Sequence, residues 1–300
     1  MKKIISLLLA AFLFTLPALA GAETVATSFY PIYLMAINLT QGVDGVEVHN
    51  LAAPGTGCLH DYQLQTSDMK ALAQADVFLI NGAGMESYLT HVYDAFPNLP
   101  VVEASTGVEL LDDDDMPVAI GEGETEVNAH IWLDPKNAVI MVQNLCEGLS
   151  QAMPEHREAF ESNRDAYCAR LESLDAALTE GLKDLPNKDI ITFHEAFPYF
   201  AKAYGLNVVA VVNREPGDAL SPARLSELVK LVKTLGTPPL FVEPQYEDMA
   251  AQTLAQETGA KVYTLDPVVT GPEDEAEALT YYETTMLSNM ETLKTALGAQ

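Results

Sequence analysis

The chain has 300 residues, of which 48% are hydrophobic, so it holds enough apolar material for one large or two medium domains. Its formal net charge is −27, which repels nucleic-acid phosphates and attracts cations, so a nucleic-acid-binding function is set aside and a cationic ligand is favoured. The three cysteines can form at most one disulfide bond within the chain.

The first 22 residues have the organisation of a secretory signal peptide. Lys2 and Lys3 provide a basic start, and a mostly apolar run follows over residues 4–16. That run is shorter than the roughly 20 residues that span a bilayer. The small residues that follow predict cleavage after Ala20 or Ala22. We therefore expect an exported, periplasmic protein.

Strands and helices alternate after this segment. Apolar strands are predicted over residues 24–28, 46–51, 77–81 and 101–102, and helices over residues 30–39, 68–74 and 85–96. Thr66 or Ser67 can cap the second of these helices. Residues 111–126 include four successive aspartates and predict an exposed acidic loop.

A long amphipathic helix is predicted over residues 154–185. Pro154 suits the first helical position, and apolar side chains then recur every three or four residues. At 1.5 Å per residue this helix is about 45 Å long, which exceeds the width of a small domain. In a hairpin about Pro154, Cys146 and Cys168 would be offset by about 9 Å, so we expect no disulfide between them.

The chain beyond the long helix repeats the alternation. Strands are predicted over residues 189–193, 207–212, 240–243 and 261–265, helices over residues 195–204, 222–235 and 246–258, and a final packed helix over residues 279–297. Such alternation indicates parallel sheets with right-handed crossovers. We therefore predict an α/β fold with two similar lobes, each a four-stranded parallel sheet flanked by helices, joined by one long rigid helix. The alternative is one continuous doubly wound sheet.

The predicted domain limits follow from this pattern. They are a signal peptide over residues 1–22, an N-terminal lobe over residues 23–135, a helical linker over residues 136–186 and a C-terminal lobe over residues 187–300.

Four side chains are predicted where ligands of parallel α/β sheets gather, at the carboxyl ends of strands. His60 lies in a Pro-Gly loop after the second strand, and His130 ends the connection that follows the fourth. His194 and Asp266 each follow directly on a strand of the second half. Three imidazoles and one carboxylate can hold a zinc-type ion tetrahedrally. The other histidines lack this context and are expected at the surface or in packing: His49, His91 and His156.

Several motifs together make the chain resemble the zinc- and manganese-binding receptors of ABC metal importers, the ZnuA/TroA-like solute-binding proteins. The resemblance covers nearly all of the mature chain. The motifs that carry it are Thr27-Ser28-Phe29-Tyr30-Pro31-Ile32, Pro54-Gly55 with His60-Asp61-Tyr62, Ser67-Asp68-Met69-Lys70-Ala71-Leu72, Asn81-Gly82-Ala83-Gly84-Met85-Glu86, His130-Ile131-Trp132-Leu133-Asp134-Pro135, Phe193-His194, Phe241-Val242-Glu243-Pro244-Gln245 and Leu265-Asp266-Pro267.

This resemblance implies two lobes bridged by one long helix, with a metal ion held between them. The family's ligand positions fall on His60, His130, His194 and Asp266. It also implies a monomeric, non-enzymatic receptor that delivers the ion to an inner-membrane permease. Three imidazoles favour Zn²⁺ over Mn²⁺, which prefers more carboxylate oxygen, and manganese or iron remain alternatives.

Three features depart from the family pattern. Cys58 and Leu59 precede the first ligand position, where proline is usual, so the Cys58 thiol is either a further ligand or a small buried residue. The loop before His130 is acidic where zinc-binding members often carry histidines. Asn128 stands where an acidic residue is common, and this leaves the partner of the His130 ring open.

A zinc hydrolase is the competing functional class. Glu195 or Glu243 would then act as the general base beside an open coordination position. No His-Glu-x-x-His helix supports this, since Ala196, Phe197 and Pro198 follow His194 and Glu195.

Overall fold

The computed structural model describes residues 22–53, 56, 59, 62–111, 127–212, 221–246 and 249–298. The predicted signal peptide up to residue 21, the loop residues Cys58 and His60, and residues 112–126 of the acidic loop lie outside this part of the chain. No helix among the described residues is long and apolar enough to cross a membrane.

Within the described residues, the first lobe is a four-stranded parallel sheet with helices packed on it. Its strand order is β2-β1-β3-β4, and parallel pairing brings the carboxyl ends of all these strands to one edge. In chain order its elements are β1 (Glu23–Thr27), α1 (Tyr30–Thr40), β2 (Val46–Asn50), α2 (Thr66–Gln74), β3 (Val77–Ile80), α3 (Leu89–Ala95) and β4 (Val101–Glu103).

Helices connect this lobe to the second. A 3₁₀ turn at Ile131–Leu133 leads into α4 (Pro135–Ala152). Asp134 caps this helix, because its Oδ1 accepts from Lys136 N at 2.8 Å. A second 3₁₀ turn at Pro154–His156 leads into α5 (Arg157–Leu182). The predicted long helix is confirmed, although its first turn is 3₁₀ and it ends at Leu182.

The second lobe repeats the architecture of the first. Its four-stranded parallel sheet has the order β6-β5-β7-β8 among the described residues. Its elements are β5 (Asp189–Thr192), α6 (Pro198–Tyr204), β6 (Asn207–Val211), α7 (Pro222–Thr234), β7 (Leu240–Val242), α8 (Met249–Thr258), β8 (Val262–Thr264), α9 (Glu275–Ala278) and α10 (Tyr281–Leu297). Two separate sheets confirm the two-lobe prediction over the single-sheet alternative, while the domain limits stay a prediction.

Local details differ from the sequence-based expectations. Gln65, not Thr66 or Ser67, caps α2, in a reciprocal capping box with Asp68, whose Oδ2 accepts from Gln65 N at 2.6 Å. Helix α3 begins at Leu89 instead of residue 85, and α6 begins at Pro198 instead of residue 195. In both places the chain leaves a strand through irregular backbone before a helix starts.

The cysteine prediction is confirmed within the described residues. Cys146 on α4 and Cys168 on α5 are free and buried. Burial raises the pKa of the Cys168 thiol to about 11, which keeps it protonated at neutral pH.

Helix α5, called the connecting helix below, packs against both lobes. It contacts α4, α1 of the first lobe and α10 of the second. One continuous hydrophobic core therefore runs from the first sheet through the connecting helix into the second lobe, and a smaller apolar cluster lies around α7 in the second lobe. The buried residues of the connecting helix are Phe160, Tyr167, Cys168, Leu171, Leu174, Leu178 and Leu182.

Arg170 ties the connecting helix to both lobes with charged hydrogen bonds. Its Nε donates to Glu283 Oε1 on α10 at 2.8 Å, and its Nη2 donates to Asn38 Oδ1 on α1. Asn38 Nδ2 in turn donates to Leu279 O at 3.1 Å. A rotation of one lobe against the other would have to break this network.

The exit of β3 is organised around the buried carboxylate of Glu86. Its Oε1 accepts from Asn81 N at 2.7 Å and its Oε2 from Gly82 N at 3.0 Å. The backbone there passes through positive φ at Gly82, Ala83 and Gly84, a conformation that excludes a helix. Burial raises the pKa of Glu86 to about 7, against the hydrogen bonds that favour its charged form.

The raised pKa of Glu86 predicts a specific dependence of stability on pH. Because the folded state binds this proton more tightly than the unfolded chain, the contribution to stability is complete below the ordinary carboxyl pKa and is lost as pH rises through 7. Between about pH 5 and 8, the free energy of unfolding of the native chain should therefore fall relative to that of Glu86→Gln, by on the order of 3 kcal/mol.

Urea denaturation in the presence of a chelator, repeated across this pH range, measures the difference. Glu158→Gln, at an exposed position of the connecting helix, is the matched control. Its free energy of unfolding should change with pH in the same way as that of the native chain. Parallel pH profiles for the native protein and Glu86→Gln would show that the carboxyl is already ionised in the fold.

The packing of the connecting helix predicts that the lobes move little when a ligand binds. Spin labels at Lys70→Cys and Lys230→Cys, on exposed faces of α2 and α7, report the distance between lobes in a Cys58→Ser background. The distribution of distances between the two labels, measured by pulsed electron paramagnetic resonance, should be the same, within its width, before and after metal is added. A shift corresponding to a rotation of tens of degrees would show that the helix is not a rigid connection.

Candidate metal site

His130 lies in the first lobe, at the start of the 3₁₀ turn that precedes α4. Its side chain is completely buried. Asn128 Oδ1 accepts from the backbone N of His130 at 2.9 Å and lies 3.2 Å from the ring Nδ1. The ring also contacts Trp132, with ring centroids 5.2 Å apart. Asn128 is therefore the hydrogen-bond partner that the sequence left open.

His194 lies in the second lobe, two residues after β5, and is also buried. Its Nδ1 is 2.7 Å from Oε1 of Glu243, which directly follows β7, the neighbour of β5 in the sheet. Gln245 Nε2 donates to Glu243 Oε2 at 2.6 Å. A carboxylate accepts at both oxygens, so the proton of the neutral His194 ring lies on Nδ1 and its lone pair on Nε2.

The structure brings these two predicted ligands together across the lobe junction. The His130 and His194 ring centroids are 4.8 Å apart, and the rings meet edge to face at 79°. In both rings Nδ1 faces a hydrogen-bonding oxygen, so the Nδ1–H tautomer is favoured and the ring lone pair lies on Nε2. Two buried imidazoles in this arrangement are the kind of nitrogen donors that a tetrahedral zinc site uses.

Asp266 follows β8 and is fixed on several sides. Its Oδ1 accepts from Val268 N at 2.8 Å and its Oδ2 from Tyr281 OH at 3.2 Å. Asn289 on α10 holds the main chain through Asp266 N at 2.9 Å and Asp266 O at 2.7 Å. Burial raises the pKa of the Asp266 carboxyl, and the charge of Glu243 adds to the rise. A cation would relieve the repulsion between these two acids.

His60 lies outside the described residues, so its position stays a prediction. The residues that flank it are well held: Leu59 is buried, and Tyr62 OH donates to Asp68 Oδ2 at 2.8 Å. Within the described part of the chain, no three His, Cys, Asp or Glu side chains are close enough together to hold a metal. His130 and His194 are therefore brought together, whereas the assignment of all four side chains as metal ligands stays a prediction.

The remaining histidines lie away from this site. His49 and His91 are exposed, and His156 is half-buried and 3.0 Å from Glu23 Oε2. Sequence reasoning missed the role of Glu243, which it considered only as a base for hydrolysis. The sequence shows only that Glu243 and His194 each follow a strand of the second half; that these strands, β7 and β5, are neighbours is given by the structure.

Comparisons with known proteins agree on one family. The family model described as "Zinc-uptake complex component A periplasmic" matches residues 25–296. The zinc-binding protein AdcA of Streptococcus pyogenes serotype M1 is 32% identical over 292 residues, an alignment that covers 91% of this chain and 56% of AdcA. The chain thus spans about half the length of the curated relatives it matches.

Solved structures show the same fold. The Zn(II)-bound ZnuA-like domain of Streptococcus pneumoniae AdcA is 30% identical, with a TM-score of 0.78 over 93% of this chain and 100% of that one. The solute-binding protein FpvC of Pseudomonas aeruginosa, in complex with Mn²⁺, is 26% identical, with a TM-score of 0.80 over 92% and 98%. Because the family match spans nearly the whole chain and the fold agrees with it, this chain belongs to the ZnuA family of periplasmic zinc-uptake components.

Proposed function

We propose that this chain is the solute-binding receptor of an ABC importer and carries one Zn²⁺ ion to a membrane permease. The ion would be held between the lobes by His60, His130, His194 and Asp266. The observation that carries the proposal is the approach of the buried His130 and His194 rings to 4.8 Å across the lobe junction. Each ring has its Nδ1 occupied and its Nε2 assigned to the ion.

Zinc is the proposed ion because neutral imidazole is the main donor of the site. Zn²⁺ in proteins is usually held by four ligands in a tetrahedron, and it binds nitrogen more readily than Mn²⁺ does. Manganese or iron is the alternative cargo of the same receptor, which the likeness to Mn²⁺-bound FpvC keeps open. The high negative charge of the chain favours capture of any of these cations from solution.

The polar contacts argue against a hydrolytic role. Glu243 is one of the two candidate bases, Glu195 being the other, and both carboxylate oxygens of Glu243 are engaged, by His194 Nδ1 and by Gln245 Nε2. It thereby orients a ligand instead of activating water. A receptor needs a closed set of protein ligands, whereas a zinc hydrolase keeps one position open for water. We therefore propose a non-enzymatic function.

The proposal also includes location and partners. The signal peptide over residues 1–22 would direct export, with cleavage after Ala20 or Ala22, so that the mature receptor works in the periplasm as a monomer. Its macromolecular partner is the inner-membrane permease of the importer.

Metal titration of the purified protein tests this function. The native chain should bind one Zn²⁺ per molecule and prefer it to Mn²⁺ in direct competition. His130→Ala and His194→Ala should each lower zinc affinity by more than about 100-fold, since loss of a ligand exceeds the 10–100-fold typical of an outer partner. Calorimetry with a competing chelator gives both affinity and stoichiometry.

His91→Ala, which removes an exposed imidazole from α3, is the matched control and should bind like the native chain. His60→Ala and Asp266→Ala extend the series to the other two proposed ligands. Native affinity in His194→Ala would overturn the site, and a native chain that fails to retain any of these ions would overturn the function.

A further inference from the structure

Asn128 contacts both halves of the metal site with a single side chain. Its Oδ1 accepts from His130 N and faces His130 Nδ1, as described above. Its Nδ2 donates to Glu195 O at 2.8 Å, and Glu195 is the residue that directly follows His194 in the second lobe. One buried amide therefore lies between the two imidazole-bearing segments.

The main chain of Asn128 is also tied to the second lobe. Asn128 O accepts from Tyr199 OH on α6 at 2.9 Å, and the same hydroxyl accepts from Leu111 N at 2.9 Å. The side chain of Asn128 is 2% exposed, so water does not compete for these bonds. The position of the amide is thus determined from both lobes.

Backbone groups fix which way the amide points. A backbone N–H can only donate and a carbonyl can only accept, so Oδ1 must face His130 N and Nδ2 must face Glu195 O. This removes the usual ambiguity between the oxygen and nitrogen of an Asn side chain. Because Oδ1 is an acceptor, the His130 ring must carry its proton on Nδ1, which leaves the lone pair on Nε2.

Only an amide meets both requirements at this position. A carboxylate, such as the Glu243 that accepts from His194, would still accept from His130 but has no hydrogen to donate to Glu195 O. It would instead place a negative oxygen beside a carbonyl oxygen in a buried site, which is unfavourable. The asparagine that stands where an acidic residue is common therefore has a structural reason.

We propose that Asn128 is a positioning residue of the metal site, which holds His130 in the Nδ1–H tautomer and links it to the segment that bears His194. This inference rests on the proposed function, because it assigns Asn128 its effect through a metal bound by both rings. Without the amide, His130 should populate both tautomers, and the distance between the two Nε2 atoms should vary more. Zinc affinity should therefore fall.

The His130 tautomer is tested first in the metal-free native chain. Nitrogen-15 chemical shifts of the histidine rings distinguish a protonated Nδ1 from a protonated Nε2, and they need no variant that could fail to fold. The expected result is the Nδ1–H form at His130. The Nε2–H form, or an even mixture of the two, would overturn the proposal.

Zinc titration of variants is the second arm. Asn128→Ala should lower zinc affinity by about 10–100-fold and give a mixed tautomer at His130. Asn128→Asp keeps the acceptor, so it should restore the Nδ1–H signal and bind zinc with an affinity between those of the native chain and Asn128→Ala. Asn144→Ala is the control, because Asn144 Nδ2 bonds Ala104 O and Thr106 O at 2.8 Å each and touches neither histidine.

Equal zinc affinities for Asn128→Ala and Asn144→Ala would overturn the proposal, as would a mixed tautomer in Asn128→Asp. A native chain that does not bind zinc would instead overturn the proposed function, and the native tautomer measurement would still test the role of Asn128. The two failures are therefore distinguishable.

Discussion

The packing of the connecting helix against both lobes is the constraint on which the site depends. Its buried face contacts α1 on one side and α10 on the other, and Arg170 adds charged bonds to each. The close-packed core leaves little room for these surfaces to slide. Since His130 and His194 belong to opposite lobes, the distance between their rings is determined by this junction and not by either sheet alone.

Buried imidazoles need partners, and the chain supplies two different kinds. His194 faces a carboxylate, Glu243, whereas His130 faces a neutral amide, Asn128. Both partners satisfy Nδ1. In an apolar pocket this buried polar group would have no hydrogen-bond partner, which costs free energy. A carboxylate makes a ring a stronger electron donor than an amide does, so the two imidazoles differ in basicity. In the proposed site, the second lobe would thus contribute the stronger imidazole ligand.

The lobes, the sheets and the connecting helix could be predicted from the sequence, because strand alternation and helical periodicity are local signals. The starts of α3 and α6 could not, since the chain after β3 passes through positive φ at residues 82–84 and Pro198 delays the helix after β5. The approach of His130 and His194 could be predicted too, because one ends the connection after β4 and the other follows β5, at the edges where the carboxyl ends of the strands lie. Their partners could not, because Glu243 is placed by strand order and Asn128 by the packing of one lobe on the other.

The backbone next to Asp266 is strained at one residue. Val268, buried and β-branched, has a φ of 63°, a conformation that such residues rarely adopt. It is held there by its own bond to Asp266 Oδ1 and by Trp132 Nε1, which donates to Pro267 O at 2.8 Å. Strain of about 1–3 kcal/mol persists only where surrounding contacts over-determine the conformation. Because Trp132 also contacts the His130 ring, the tryptophan that holds this loop of the second lobe in place also supports a buried histidine of the first lobe.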